Sequence, residues 1–159
     1  MMRRSDREIK EFCEIVEVMK RCDVCRVALN DNGYPYIIPL NFGVKAEAGH
    51  ITLYFHGAGE GKKYELIKRD NRAGFEMDCS HRLVMGAGGC SCTMKYESVV
   101  GRGRIEIVPE DEKKEALSVL MGQYHKEELS FPVSFPEEAV RETTVFKLMV
   151  DKVSGKRNL

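Results

Sequence analysis

The sequence contains no tryptophan, only five prolines and no net charge, since 25 lysines and arginines are balanced by 25 aspartates and glutamates. Balanced charge and scattered basic residues argue against a nucleic acid or an anionic membrane surface as a partner. No apolar run approaches the roughly 18 residues of a membrane-spanning helix. The two N-terminal arginines are not followed by the apolar stretch of a secretory signal, so we expect a cytoplasmic protein.

Cysteine is the residue type that is unexpectedly frequent, with six in 159 residues. Cys22 and Cys25 have CxxC spacing, and Cys90 and Cys92 form a CxC pair; together they could supply four thiolates to a zinc ion. However, Cys25 opens an apolar strand, and a predicted helix ends at the CxxC, where a thioredoxin helix would begin. We therefore interpret the cysteines as reduced, structural thiols that behave as small hydrophobic residues and predict no metal site, with a metal or redox pair as the alternative.

Hydrophobic periodicity predicts one α+β domain over residues 1–159 with about six strands. Strands are predicted at 24–29, 34–42, 50–55, 73–77, 95–108 and 143–153, and helices at 5–21, 62–69, from 109 onward and at 136–140. In the first helix, Ser5 is the predicted N-cap, and the predicted apolar face consists of Ile9, Phe12, Cys13, Val16 and Met19.

The predicted connections favour an antiparallel architecture. Residues 30–33 predict a hairpin turn and 43–49 a second turn, while 80–92 predict a loose hairpin. Pro35 and Pro39 cannot donate to a strand ladder, which indicates that parts of their strand lie at a sheet edge or a bulge, or face a ligand. Strands joined by tight turns indicate a small β-barrel and argue against a doubly wound parallel sheet.

A glycine-rich loop follows the strand 50–55 and opens the helix 62–69. Its three glycines allow backbone N–H groups to approach an anion, and Lys62 and Lys63 add positive charge at the helix N-terminus. Neither the P-loop nor the dinucleotide fingerprint matches this spacing. The loop therefore predicts a phosphate site of another kind, with a flexible turn bearing solvated lysines as the alternative. His56, at the strand end, is either a structural residue or an acid near a ligand.

Three segments in this order resemble the split-barrel flavoproteins related to pyridoxamine 5′-phosphate oxidase: PYIIPLNFG (35–43), LYFHGAGEGKK (53–63) and DNRAGFEM (70–77). The resemblance covers about residues 3–110. Within the family, the chain is most similar to the branch that includes the 5-nitroimidazole resistance (Nim) proteins. It implies a split β-barrel, a homodimer, and FMN at the subunit interface, with FAD as the alternative. The family's pyridoxamine phosphate oxidases carry a basic and aromatic C-terminal segment that this chain lacks, so we do not expect vitamin B6 phosphates as substrates.

The resemblance also implies which residues hold the flavin. Carried over by position, the ring would be lined by Pro39, Leu40, Asn41 and Phe42 and flanked by Tyr54 and His56. The phosphate would lie on Gly57, Ala58, Gly61, Lys62 and Lys63, and the partner subunit would contribute Tyr96, Ser98 and Val99. The implied activity is reduction of a small planar acceptor such as a nitroaromatic, with His56 orienting or protonating the acceptor. The alternatives are a non-catalytic flavin carrier or sensor and a haem-binding module.

Overall fold

The computed structural model describes residues 3–88, 91–125 and 134–159. In these ranges the strands are β1 (Glu8–Ile9), β2 (Cys25–Asp31), β3 (Tyr34–Leu40), β4 (Gly43–Glu47), β5 (His50–Gly57), β6 (Arg72–Val84), β7 (Thr93–Ile107) and β8 (Thr144–Asn158). The helices are α1 (Phe12–Arg21), α2 (Lys62–Arg69), α3 (Lys113–Tyr124) and α4 (Glu137–Glu142). None of these helices has the length and apolar character needed to cross a membrane.

All eight strands form one antiparallel sheet in the order β3-β2-β6-β7-β8-β5-β4, with β1 beside β8. The two edge strands, β3 and β4, are consecutive in the chain and are joined only by Asn41 and Phe42. Three Cα–Cα steps span at most about 11 Å, so the sheet must curl until its two edges approach each other. The predicted α+β split-barrel class is confirmed, with eight strands rather than about six.

The barrel interior is filled by alternate side chains of the strands and closed by α1. Odd-numbered residues of β2, β5 and β6 point inward, as the two-residue side-chain period of a strand requires. The largest fully buried side chains are Phe42, Phe55, Phe146, Met19, Leu29, Leu53, Met77, Ile105, Leu148, Val18, Val27 and Val99.

A second, smaller apolar cluster lies on the outer face of β5 and β8. It joins Val145 of β8 to Ala116 and Leu117 of α3 and Val140 of α4, with Tyr54 of β5 packed against it. The C-terminal helices therefore cover the sheet face that is opposite to the barrel core.

The start of the chain differs from the prediction. Ser5–Arg7 form a 3-10 turn, Ile9 pairs with Gly155 of β8, and the helix begins only at Phe12, so the Ser5 capping box is wrong. A Cβ at position 155 would lie 2.9 Å from the Ile9 Cβ, so glycine there makes room for the short strand. Strand pairing thus overrides local capping preference. In α1, Phe12 and Cys13 are exposed, and the buried face is Ile15, Val16, Val18 and Met19.

The predicted turn at 43–49 is also wrong, because residues Gly43–Glu47 form β4 and only Ala48 and Gly49 turn, both with positive φ. This segment has weak β propensity, and its pairing with β5 decides its structure. Strand β6 continues to Val84 and pairs with β7, with a bulge between Cys79 and Arg82, which extends the predicted 73–77 strand. The predicted hairpin 80–92 includes Gly89 and Cys90, which lie outside the described residues.

Several local predictions are confirmed. Asn32 (φ 53°) and Gly33 (φ 89°) form the two-residue turn between β2 and β3. β3, which carries Pro35 and Pro39, is an edge strand. Helix α2 has the predicted bounds and buries Leu66 and Ile67.

The contact between β4 and α3 is testable at Gly43. A Cβ at this position would lie 2.5 Å from the Cα of Leu120, so we expect Gly43→Ala to displace α3 and to lower the free energy of unfolding by about 1–3 kcal/mol. The matched control is Gly122→Ala in α3, where a Cβ meets no atom within 4 Å and helix propensity favours alanine by up to about 1 kcal/mol. Urea denaturation measures both. Equal stability of Gly43→Ala and wild type would contradict this packing.

Candidate functional site

The residues predicted to line the flavin ring (39–42) and the glycine-rich loop predicted to bind its phosphate (57–63) lie next to each other in the structure. Gly43 pairs with Tyr54, so the preceding Asn41 and Phe42 extend along β5 toward His56 and the glycine loop. Pro39 and Asn41 are exposed, and Leu40 packs partly against the core.

The loop between β5 and α2 uses its glycines in different ways. Gly61 has φ 94°, a conformation that favours glycine, and it precedes α2 with no side-chain cap on the helix N-terminus. A Cβ on Gly57 would collide with the Lys63 ammonium, and one on Gly59 would lie 2.7 Å from Thr144 Oγ1. Gly57 and Gly59 therefore permit close packing, while Gly61 sets the backbone direction into the helix. Ala58 lies exposed on the loop.

Lys63 holds a half-buried positive charge at the start of α2. Its Nζ lies 5.0 Å from the centroid of the Phe146 ring and beneath Gly57. Within residues 3–88, 91–125 and 134–159 it forms no ion pair, and burial lowers its pKa. A cation taken from water without a counter-ion is unfavourable, so this position is suited to an anionic ligand.

Lys62 is arranged differently, although the two lysines are adjacent. Its ammonium lies 2.5 Å from Asp31 Oδ2 and 4.9 Å from the centroid of the Tyr36 ring. This contact lowers the pKa of Asp31 and ties α2 to the β2–β3 hairpin. Of the two predicted phosphate lysines, Lys63 has the uncompensated charge.

Tyr54 and His56 project from the outer face of β5, toward α3 and α4. Burial raises the pKa of Tyr54, which packs on the outer apolar cluster. His56 is exposed and borders a cavity of about 150 Å³. The other lining residues are Leu117, Leu120, Met121, Phe135, Ala139, Val140 and Thr143. His56 is thus the one titratable side chain on the described wall of an otherwise largely apolar recess.

Two α3 residues position this region in a way that the sequence pattern did not reveal. The Phe42 N–H donates to Tyr124 Oη (2.9 Å), whose hydroxyl donates to the Asp23 carbonyl (2.9 Å). The neighbouring Gln123 is buried and donates to the Met19 carbonyl (3.1 Å) at the end of α1. These hydrogen bonds depend on the Tyr124 hydroxyl meeting a distant backbone, for which a sequence carries no signal.

Tyr96, Ser98 and Val99, which were predicted to reach the flavin from the partner subunit, lie far from the glycine-rich loop of their own chain. Val99 pairs with Gly155 of β8, whereas His56 pairs with Val145. Ten residues of extended strand correspond to roughly 33 Å along β8. One chain therefore does not bring the β7 segment with Tyr96 and Ser98 to the glycine loop.

Two predicted ring contacts are limited by burial. Phe42 and Val99 each expose 0% of their surface, because both side chains fill the barrel core. Neither residue therefore presents surface to a ligand within one chain, and their contacts with a flavin stay predictions. On β7, desolvation raises the pKa of Tyr96, but hydrogen bonds with Lys156 and Arg7 outweigh it and the net pKa is lowered.

The cysteines differ in environment. Cys22 and Cys25 are buried, and burial raises the pKa of Cys22 and raises that of Cys25 to about 12, which keeps both thiols protonated at neutral pH. Cys13 and Cys92 are exposed. Cys90 lies outside the described residues, and among those described no group of three or more His, Cys, Asp or Glu is arranged to hold a metal ion.

The uncompensated charge of Lys63 predicts a stability effect in the ligand-free protein. Lys63→Met keeps a contact with the Phe146 ring and removes the buried charge, so we expect a higher free energy of unfolding at pH 7. Because the folded-state pKa is lowered, the unfolded chain binds more protons in the alkaline range. The free energy of unfolding of the wild type therefore increases relative to that of the variant as the pH rises from 7 toward the normal lysine pKa.

Urea denaturation at several pH values measures this difference. Lys62→Met is the control, since it removes an exposed ion pair and should cost no more than about 1 kcal/mol. Destabilisation by Lys63→Met at every pH would show that its charge is well compensated in the fold.

Known proteins of similar sequence and fold identify the family of this chain. The family model for pyridoxamine 5′-phosphate oxidase matches residues 13–157. A candidate 5-nitroimidazole antibiotic resistance protein from Bacteroides thetaiotaomicron is 34% identical, with a TM-score of 0.79 over 94% of this chain and 86% of that one. No curated protein matches significantly.

Two further solved structures share the fold at lower identity. The flavocytochrome Anf3 from Azotobacter vinelandii is 18% identical, with a TM-score of 0.80 over 100% of this chain and 72% of that one. A FAD and heme binding protein from Mycobacterium smegmatis is also 18% identical, with a TM-score of 0.81 over 96% and 73%. The resemblance to this family and to the nitroimidazole resistance proteins within it is confirmed, and the chain belongs to the pyridoxamine 5′-phosphate oxidase family.

Proposed function

We propose that the protein is a flavin-dependent oxidoreductase that binds FMN and reduces a small planar acceptor such as a nitroaromatic. The observation that carries this proposal is Lys63, a half-buried cation without a carboxylate partner among the described residues, placed at the N-terminus of α2. A flavin phosphate would neutralise that charge and accept hydrogen bonds from the free N–H groups of the helix. The family membership and the FAD-containing relative of this fold support a flavin.

The loop and its flanking strands would bind the cofactor together. Gly57, Ala58 and Gly61 would contact the phosphate through their backbone, while Lys62 would have to leave its ion pair with Asp31 to bind it. Pro39, Leu40 and Asn41 would form one side of the ring site, and the Phe42 backbone is held in place by Tyr124. A bound flavin supplies the electrons of such a reaction.

His56 is the group proposed to act on the acceptor. It borders the 150 Å³ recess under α3 and α4, and an apolar cavity of about this size is large enough for one aromatic ring. The apolar walls would exclude water, while the imidazole would donate a hydrogen bond or a proton to the polar group of the acceptor. Nitroaromatic rings fit this combination of a small apolar pocket and one polar residue.

A homodimer is part of the proposal. The segment with Tyr96, Ser98 and the backbone of Val99 lies far along β8 from the glycine loop of the same chain. A second copy would supply this segment to the loop, so each flavin site would use both subunits.

The second candidate is a non-catalytic flavin or haem module, favoured by the fold's similarity to a flavocytochrome and to a FAD and heme binding protein. The absorption spectrum separates the two cofactors, because haem gives a sharp Soret band and flavin a broad double band. Turnover with a nitro acceptor separates an enzyme from a carrier.

Flavin content of the purified protein is the first test. We expect released FMN, and we expect Lys63→Ala to weaken flavin binding at least tenfold while Lys62→Ala, whose ammonium is already paired, has a smaller effect. Fluorescence titration of the apo variants measures both affinities, and circular dichroism verifies the fold. Unchanged flavin affinity in the double alanine variant would refute the phosphate site.

The shared site is tested with a mixed dimer as the companion measurement. Lys63→Ala and Ser98→Arg chains should each lack flavin alone. When the two are co-expressed with different tags, a mixed dimer has one intact site and should bind flavin at about half occupancy if sites are shared. No recovery in the mixed dimer would show that each site lies within one chain.

The role of His56 is tested by kinetics. Loss of a general acid typically costs 10²–10⁴ in rate, so we expect His56→Gln to lower kcat for a nitroaromatic roughly 100-fold while flavin content is unchanged. His50→Gln, at the opposite end of β5, is the control and should leave kcat unaltered. Wild-type turnover by His56→Gln would assign the histidine a structural role.

A further inference from the structure

A second surface with the features of a ligand site lies on the outer face of the sheet, away from His56 and its recess. It is a groove of about 620 Å³ between the β2–β3 hairpin and the strands β6 and β7. Its lining includes Ala28, Tyr34, Gly74, Arg102 and Arg104. A volume of this size falls within the range of small-molecule sites.

The strand register places like charges directly opposite each other along this groove. Arg72 pairs across the ladder with Arg104, and Arg102 pairs with Lys152. Like charges at opposite positions on one sheet face destabilise the pairing. Because this arrangement follows from backbone register, it does not depend on side-chain rotamers.

These charges are only partly neutralised. Arg72 forms an ion pair with Asp70 at 2.7 Å, and Asp151 also lines the groove. Arg102 and Arg104 belong to none of the ion pairs formed within the described part of the chain. The groove therefore retains excess positive charge that an anion would compensate.

The floor at the centre of the groove carries only small side chains. Ala28 pairs with Gly74 on neighbouring strands, so two small residues form its floor. On the side away from the arginines, Ile37 is 60% exposed and Tyr34 is 79% exposed. A flat ring could rest on this floor beside Ile37, which pairs with Ala28, while Tyr34 lines the hairpin end of the groove.

We propose that this groove binds the adenosine 5′-phosphate part of a nucleotide. Ala28 and Arg102 lie two strands apart, about 10 Å, which allows a base over the floor and a phosphate on the arginines. Guanidinium groups bind phosphate oxygens in a bidentate manner, and tyrosine stacks on bases. One end of the groove lies at the β2–β3 hairpin, whose Asp31 is paired with Lys62 of α2.

Adenosine phosphate occurs in two molecules that a flavin enzyme uses, FAD and a nicotinamide dinucleotide electron donor. The choice between them rests on the proposed function, whereas binding of adenosine phosphate to the groove does not. The first measurement is therefore calorimetric titration of the protein, as purified, with 5′-AMP. We expect saturable binding that weakens with added salt.

The variant Arg102→Gln/Arg104→Gln should bind 5′-AMP at least tenfold more weakly. The matched control Lys10→Gln/Lys68→Gln removes two exposed cations elsewhere and should bind as wild type does. Ala28→Phe provides a second route, since it fills the floor and leaves the arginines in place, and it should weaken binding equally. Absence of 5′-AMP binding to the wild type, or equal binding by all variants, overturns the proposal.

Two further measurements on the Arg102→Gln/Arg104→Gln variant distinguish FAD from a nicotinamide dinucleotide as the ligand. Loss of FAD binding with unchanged FMN binding identifies FAD, whereas a raised KM for NADH or NADPH with unchanged flavin content identifies the dinucleotide. Sedimentation velocity completes the test. A wild type that ignores 5′-AMP and an arginine variant with an altered oligomeric state would identify the surface as an interface between copies and refute nucleotide binding.

Discussion

The structure depends on a short connection between the two edges of its sheet. β3 and β4 are the outermost strands of the sheet, yet Asn41 and Phe42 alone separate them in the chain. The sheet must therefore close on itself, and this closure creates an interior that large apolar side chains fill. Phe42 anchors the connection in that core, and Tyr124 satisfies its N–H from outside. The same connection forms part of the proposed flavin-ring site, so the closure of the barrel also sets the position of these residues.

Function and stability are opposed at the start of α2. The Lys63 ammonium is half-buried, and the described residues supply no carboxylate for it, which is costly; Gly57 has to lack a side chain to make space for it. A fold selected for stability alone would place an apolar residue there. The adjacent Lys62, which is paired with Asp31, shows how a lysine is compensated when it only fastens the helix to the hairpin. The contrast between these neighbours is the physical basis for assigning an anion to the loop.

The C-terminal third of the chain determines what the site can accept. α3 and α4 cover the outer face of β5, so His56 faces a small apolar recess instead of open solvent on all sides. The opposite end of β8 carries Gly155 beside Val99, far from that recess. One long strand thus separates the two halves of the proposed site, and a twofold-related copy would reunite them. The outer groove with Arg102 and Arg104 is the proposed place for the remainder of a larger nucleotide.

The sequence by itself determined the local elements whose signals are short-range. The Asn32–Gly33 turn, the edge position of the strand with Pro35 and Pro39, and the bounds of α2 all follow from backbone preferences. The order of three segments determined the family. Tertiary structure alone decided that Ile9 joins β8, that Gly43–Glu47 is a strand, and which of two adjacent lysines keeps an uncompensated charge. These outcomes depend on partners distant in the chain, and local propensity is too weak to outweigh pairing and burial.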